Sequence, residues 1–241
     1  MTRVNIVTVI IDMAFRGFRY AADWDNGNVM RQEHDQAALV VTQVARTPRF
    51  PDRLRLPLAF DPAGLARDLA RLSSDEWISH YVRQNYEGDW SVVALRSPAG
   101  ETHPIRMINA DPTARAFVDT PLLRACDYFP QVLAAFECPL RVVRLMRLTP
   151  GSRIKEHTDL DLSFEDGMVR IHIPVTTNPD VEFYLNGSRV VLQAGSAWYL
   201  RLSDPHRVFN GGSADRVHLV IDAHVNGWME ALFDAALRET S

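Results

Sequence analysis

A series of short apolar segments between residues 140 and 221 constrains the fold of this chain more than any other feature. Apolar and polar residues alternate within the segments, and turn residues such as Thr149–Gly151 and Asn186–Ser188 separate them. Alternation over about four to eight residues is typical of strands that bury one face. Many short strands at regular spacing favour a sandwich or jelly roll over a parallel sheet. The sequence therefore predicts a mainly β protein.

The individual elements can be placed from this pattern. Strands are expected at Leu140–Leu148, Met168–Val175, Val181–Leu185, Arg189–Leu192, Ala197–Arg201 and Arg216–Ile221. Asn186–Gly187, between two of them, indicates a hairpin turn. Helices are expected after Asp61–Pro62, within residues 112–137 and after Asn226–Gly227.

The length of 241 residues is compatible with one domain and an extension. Residues 1–52 are predicted to be an N-terminal extension whose structure the sequence does not decide. Residues 53–241 are predicted to be a single domain. It consists of a mixed helical and strand part (53–139), a jelly-roll core (140–225) and a C-terminal helix (226–241).

Charge and cysteine content argue against several classes of partner. The 26 basic and 30 acidic residues are mixed along the chain, and the formal net charge is −4. Without a basic block, neither nucleic acid nor an anionic membrane surface is expected as a partner. No apolar run reaches the ~18 residues that cross a bilayer. Cys126 and Cys138 form no Cys-x-x-Cys unit, so we expect two reduced thiols in a cytoplasmic protein.

His157, Asp159 and His206 form a candidate metal site. Residues i and i+2 of an extended segment point the same way, so His157 and Asp159 can reach one ion together. A returning strand can deliver His206 as the third ligand. Two histidines and one carboxylate are the ligand set of non-haem Fe(II) oxygenases, and this set leaves coordination positions open. His-x-Asp is common by chance, but the distal His206 and the β context favour a metal site.

Three further residues can bind a carboxylate. Arg216 opens the last strand, and a buried arginine needs an anionic partner. That partner is either a dicarboxylate co-substrate, held by a bidentate fork, or a carboxylate of the core. Arg170 and His172 share one face of their strand. This face either binds carboxylates beside the metal or lies in solvent.

Trp90 and Arg96 are candidates for the substrate pocket. Both lie in the β-rich segment that follows the turn at Gly88–Asp89. Arginine can clamp a carboxylate, and Trp90 can form a pocket wall. The alternative is a core aromatic residue and an ion-paired surface arginine. Histidines without nearby companions, such as His80, receive no role.

The combined motifs resemble those of the aspartyl/asparaginyl/prolyl β-hydroxylase family. The similar segments are Arg144–Asp161, Val169–Val175, Pro205–Gly212 and Arg216–Asp222. The resemblance covers roughly residues 55–235 and implies a cupin-like double-stranded β-helix. It also implies an enzyme that uses Fe(II), 2-oxoglutarate and O₂ to hydroxylate an unactivated carbon, with release of succinate and CO₂. The implied substrate is a small amino acid or a peptide-borne residue of the Asp, Asn or Pro type.

The resemblance also implies roles for individual residues. Iron would be held by His157, Asp159 and His206, the distal carboxylate of 2-oxoglutarate by Arg216, and co-substrate or substrate carboxylates by Arg170 and His172. Vertebrate-type aspartyl hydroxylases have a sequence similar to His-Thr-Gly at this position and lack the carboxylate ligand. This chain keeps Asp159 and is more similar to the bacterial prolyl-hydroxylase branch. The alternatives are a non-catalytic cupin-like binding protein and a cupin enzyme of another kind.

Overall fold

The computed structural model describes residues 48–109, 111, 113–159 and 162–240. The predicted N-terminal extension therefore lies almost wholly outside the described residues, and the predicted domain boundaries stay predictions. The strands are β1 (Arg53–Ala59), β2 (Ile78–Ser79), β3 (Tyr86–Glu87), β4 (Trp90–Pro98), β5 (Phe117–Asp119), β6 (Leu140–Leu148), β7 (Arg153–His157), β8 (Met168–Thr176), β9 (Val181–Leu185), β10 (Ser188–Val190), β11 (Ser196–Leu200), β12 (His206–Asn210) and β13 (Arg216–His224). The helices are α1 (Pro62–Leu69), α2 (Pro104–Ile108), α3 (Pro121–Arg124), α4 (Phe129–Ala134) and α5 (Gly227–Thr240).

The strands form two antiparallel sheets that share an interior. The larger sheet has the order β1-β11-β8-β13-β6-β4-β2, with β5 paired to the outer part of β4. The smaller sheet has the order β10-β9-β12-β7-β3. Apolar side chains of the two sheets pack against each other. This arrangement is a double-stranded β-helix with flanking helices, which confirms the predicted fold class.

The outer face of the larger sheet is covered by helices. Leu145, Ile171 and Leu219 come from three neighbouring strands of this sheet and are fully buried. They belong to one core cluster with Phe129 of α4 and Phe233 of α5. Alternation along β6, β8 and β13 sends these apolar residues outward, beneath the helices. The intervening residues of the same strands must therefore face the space between the sheets.

The space between the sheets is apolar in part and charged in part. Leu148 and Val220 of the larger sheet meet Ile154, Phe183 and Leu185 of the smaller sheet in a second cluster. Other inward positions of β6, β8 and β13 hold buried arginine, histidine and aspartate side chains. These side chains need partners, because an unpaired buried charge is costly.

Several local predictions are confirmed, and one is partly wrong. Asn186 and Gly187 have φ values of 49° and 71°, the left-handed pair that a tight hairpin turn requires. Residues 112–137 do not form a continuous helix: Phe117–Asp119 is a strand that pairs with Arg96–Pro98. Backbone pairing to the edge of β4 replaces the helical hydrogen bonds at this place. Among the described residues, every helix falls short of the length and apolarity needed to cross a membrane.

Candidate metal centre

The two sheet strands β7 and β12 bring three predicted ligands together. His157 ends β7 and His206 begins β12, and the two residues are paired across the strands. Asp159 lies two residues after His157, and its backbone N–H donates to the carbonyl of Leu202 (2.8 Å). One ligand atom from each of the three side chains lies within 4.8 Å of the other two. The spacing is suited to one small cation.

The backbone fixes the orientation of both imidazole rings. His157 Nδ1 lies 2.8 Å from the carbonyl oxygen of Lys155, and His206 Nδ1 lies 3.0 Å from that of Asp204. A carbonyl oxygen only accepts, so each Nδ1 bears a proton, and in the neutral ring the lone pair is on Nε2. Burial, and then the proximity of His157, lowers the pKa of His206, which keeps this ring neutral at pH 7. Both Nε2 atoms are therefore available as metal ligands.

A chain of buried charges supports the carboxylate of the cluster. Arg170 Nε and Nη2 donate to the two oxygens of Asp222 (2.6 and 3.0 Å), and Arg170 Nη1 donates to Asp159 Oδ2 (2.6 Å). Asp222 Oδ2 also accepts from Arg144, which donates in addition to the carbonyl of Ile108. Burial alone would raise the pKa of Asp222, but Arg144 and Arg170 outweigh it and lower the pKa to about 2. Asp222 is thus an anion at neutral pH.

Arg216 has a different environment. It is 2% exposed, and no carboxylate of the described residues pairs with it. Its Nη2 donates to His218 Nδ1 (2.9 Å), while its Nε has no partner in the described part of the chain. Burial lowers the pKa of Arg216 from 12.5 to about 9, so the side chain is still a cation at pH 7. Arg216 and His218 line a cavity of about 260 Å³.

His172 and His218 add two unpaired polar atoms beside this arginine. Because Arg216 only donates, His218 Nδ1 is an acceptor and the His218 proton lies on Nε2. His172 Nδ1 is 3.2 Å from the same His218 Nδ1. Burial, and then the charge of Arg216, lowers the pKa of both rings well below 6.5. Both Nε2 atoms are buried without a partner among the described residues.

Phe183 connects the metal centre with the Arg216 cavity. Its ring is nearly parallel to that of His206, with 6.4 Å between the centroids. The guanidinium carbon of Arg216 lies 6.0 Å from the same phenyl centroid, and the His172 ring lies at 6.2 Å. Phe183 also lines the cavity. Phe183 therefore lies next to both His206 of the ligand cluster and Arg216 of the cavity.

The two predicted substrate residues lie in different surroundings. Arg96 pairs with Asp119 and donates to the carbonyls of Phe117 and Leu140. These contacts correspond to the ion-paired alternative, and the substrate role of Arg96 stays a prediction without a supporting contact. Trp90 is buried and stacks on the His80 ring with 3.6 Å between the centroids.

His80, for which the sequence motifs predicted no role, also lies near the site. His80 is stacked between Trp90 and Tyr81, whose ring centroid lies 4.8 Å away. Burial, and then the charge of Arg144, lowers the pKa of His80 to about 3, although the negative charge of Asp159 acts in the opposite direction. Val82 N–H donates to His80 Nδ1 (3.3 Å), which places the His80 proton on Nε2. No pattern in the sequence relates position 80 to position 159.

Asp222 and Arg144 are further components that the sequence interpretation did not assign. A signal for Asp222 exists: it lies six residues after Arg216 on β13, an even spacing that places both side chains on one strand face. Arg144 faces the same interior from β6. Its role depends on the strand order, which alternation does not give.

The fold and these contacts define a double-stranded β-helix protein with a candidate His-x-Asp…His metal centre beside a buried arginine. The family model described as aspartyl/asparaginyl β-hydroxylase matches residues 64–225. The chain belongs to this family, which confirms the resemblance seen in its motifs.

Individual relatives are more distant. The chain is 26% identical to an L-proline cis-4-hydroxylase from Rhizobium meliloti (strain 1021) over 174 residues, which are 71% of this chain and 60% of that protein. It thus spans 60% of the length of this curated relative. A 2OG-Fe(II) oxygenase family oxidoreductase from Burkholderia pseudomallei has 20% identity, with 73% of this chain and 87% of that chain covered and a TM-score of 0.48. A Pseudomonas putida prolyl-4-hydroxylase has 14% identity, coverage of 73% and 94%, and a TM-score of 0.47.

Proposed function

We propose that this protein is an Fe(II)- and 2-oxoglutarate-dependent hydroxylase that acts on a small amino acid or a peptide-borne residue. The observation that supports this most is the convergence of one ligand atom each from His157, His206 and Asp159 within 4.8 Å of one another. Family membership supports the same class of reaction.

The donor set fits Fe(II). Two imidazole nitrogens and one carboxylate oxygen would occupy three positions and leave the others for co-substrate and O₂. The bound metal would supply the oxygen chemistry that attacks an unactivated carbon. The chain itself orients the ligands: the Lys155 and Asp204 carbonyls hold the two rings, and Arg170 holds the carboxylate.

The Arg216 cavity fits the distal carboxylate of 2-oxoglutarate. A buried guanidinium with a free N–H favours an anionic ligand over water, because the charge is otherwise uncompensated. The His218 Nε2–H adds a second unpaired donor next to it. Phe183 forms an apolar wall from this cavity to His206, which helps to exclude water along the co-substrate.

We propose L-proline or a close ring analogue as the first substrate to test. The relative named L-proline cis-4-hydroxylase supports this choice. The charges near the metal centre support it as well: Arg144 and Arg170 are both paired with Asp222. Because both arginines are already compensated, a second carboxylate on the substrate would gain little from them, which favours a substrate with a neutral ring. We also propose a cytoplasmic location, since Cys126 and Cys138 are unpaired.

The test is succinate formation from 2-oxoglutarate under air with Fe(II) and ascorbate. L-proline, L-aspartate, L-asparagine and a panel of short peptides serve as substrates, and mass spectrometry detects the added oxygen atom. We expect turnover with one of these compounds and none with the His206→Ala variant. If no compound gives turnover above that variant, the proposal is wrong and a binding protein becomes the better interpretation.

A further inference from the structure

We propose that Arg170 is a positioning residue for the metal centre: supported from behind by Asp222 and Arg144, it holds Asp159 so that a single carboxylate oxygen faces the metal. This inference rests on the proposed function. It gives Arg170 a role other than the contact to a co-substrate or substrate carboxylate that the resemblance implies.

The two oxygens of Asp159 have different partners. Oδ2 accepts from Arg170 Nη1 at 2.6 Å, whereas Oδ1 lies 3.6 Å from His157 Nε2. A metal bound to His157 Nε2 would therefore meet Oδ1, and Oδ2 would stay with the arginine. This division favours monodentate coordination and leaves more positions open than a bidentate carboxylate would.

The support behind Arg170 is rigid and buried. Arg170 and Asp222 are directly opposite each other across β8 and β13, and both oxygens of Asp222 are engaged by the Arg170 fork. Asp222 is fully buried, and Arg144 binds it from β6. Three neighbouring sheet strands thus fix a guanidinium, which reaches out to a residue in the loop after β7. A planar fork with several fixed donors transmits this geometry better than a flexible ammonium would.

Charge balance explains why Asp222 is needed. An arginine without a counter-charge would place an uncompensated cation beside the metal and would weaken metal binding. Asp222 neutralises Arg170 on the side away from the metal, while Arg144 and Asp159 complete a set of two cations and two anions. Arg170 can therefore bind Asp159 without strongly repelling a metal ion at the neighbouring site.

Arg170 and Arg216 differ in how far their nitrogens are paired. Arg170 directs donors at two carboxylates, whereas Arg216, His172 and His218 keep unpaired buried nitrogens. A co-substrate carboxylate is better accommodated by the second group. The two arginines should therefore act on different ligands, which gives the inference a clear test.

The experiment measures Mn²⁺ affinity by titration calorimetry in the absence of 2-oxoglutarate, for the unchanged protein and for Arg170→Met, Arg170→Lys and Asp222→Asn. Loss of a residue that orients a metal ligand typically weakens affinity roughly 10–100-fold, and we expect this range for Arg170→Met. Arg170→Lys keeps the charge but not the fork, so it should also weaken Mn²⁺ binding. The visible spectrum of bound Co²⁺ should change in both variants.

Two control variants make the result specific. Arg216→Met should leave Mn²⁺ affinity unchanged while it weakens 2-oxoglutarate binding. Asp68→Asn removes another buried carboxylate, which accepts from the backbone N–H groups of Asp127, Tyr128 and Phe129. It should lower stability without an effect on Mn²⁺ affinity. If Arg170→Met does not fold, as judged by circular dichroism, the Mn²⁺ affinities of Arg170→Lys and Asp222→Asn test the inference instead.

The outcomes separate this inference from the proposed function. Equal Mn²⁺ affinity and equal Co²⁺ spectra for the unchanged protein and the folded Arg170 variants would overturn the inference alone. Weaker 2-oxoglutarate binding with unchanged Mn²⁺ affinity in those variants would also overturn the inference. It would indicate that Arg170 contacts the co-substrate instead. If the unchanged protein binds no Mn²⁺, the proposed function and this inference both fail.

Discussion

Arg216 shows how one residue can lower stability in favour of ligand binding. A buried cation without a carboxylate partner costs free energy of folding. We predict that Arg216→Met raises the free energy of unfolding of the ligand-free protein by about 1–3 kcal/mol, since methionine keeps much of the volume without the charge. The same variant should fail to bind 2-oxoglutarate at concentrations that saturate the unchanged protein. Urea denaturation and calorimetry with Mn²⁺ present measure the two effects.

Arg53 provides the matched control for this prediction. Its Nε and Nη2 pair with the two oxygens of Asp52 (2.8 and 2.7 Å), so its charge is compensated. Arg53→Met should therefore not stabilise the protein. A ligand-free Arg216→Met protein that unfolds at a lower urea concentration than the unchanged protein would contradict the prediction.

Single residues of the site differ in how well the sequence predicts them. His157 and Asp159 are found because i, i+2 spacing on extended backbone has a geometric meaning. His80 and Arg144 are not found, because their importance depends on contacts with residues far along the chain. Arg144 and Asp222, for example, are 78 positions apart. Only the strand order brings such residues together, and this order cannot be predicted from the alternation pattern of a single sequence.

At the scale of secondary structure, the clearest predictions come from strong local chemistry. Alternation places β6 at Leu140–Leu148, and Asn186–Gly187 places the hairpin. Residues 112–137 are less predictable, because local helical signals compete there with pairing to a sheet edge. Thr120 caps α3 by accepting from the Leu123 N–H (3.3 Å), but the three residues before it pair with β4. Pro130 lies in the first turn of α4, where proline is tolerated, and does not interrupt a longer helix.

The junction of α1 and α4 depends on one buried carboxylate. Asp68, near the end of α1, is 1% exposed and accepts from three backbone N–H groups at the start of α4 (2.6–3.1 Å). We predict that Asp68→Asn lowers the free energy of unfolding by about 1–3 kcal/mol, because the amide has only one acceptor oxygen and leaves buried donors unpaired. Urea denaturation measures this loss. A change of Mn²⁺ affinity in the folded variant would contradict a purely structural role.

Across the whole molecule, the two faces of the larger sheet have separate tasks. The outer face is apolar and buried beneath helices, which provides stability without polar groups. The inner face combines an apolar cluster with Arg144 and Arg170, which both pair with Asp222, and with Arg216, which has no carboxylate partner in the described part of the chain. Binary alternation predicts that two faces exist. It does not predict which charges meet, because the order β1-β11-β8-β13-β6-β4 joins strands that are distant in sequence.

This arrangement predicts that metal and 2-oxoglutarate stabilise the molecule cooperatively. Phe183 lies next to both His206 and Arg216, and we expect one 2-oxoglutarate to extend from the metal centre to Arg216. A ligand at about a hundredfold excess over its Kd adds about 2.7 kcal/mol to the free energy of unfolding. We expect 2-oxoglutarate to add clearly more with Mn²⁺ present than after EDTA treatment, because only then are both ends of the ligand bound. Urea denaturation under argon measures the increments, with His206→Ala as the control that should lose the Mn²⁺-dependent part. Equal increments with and without Mn²⁺ would mean that 2-oxoglutarate does not bridge the two sites.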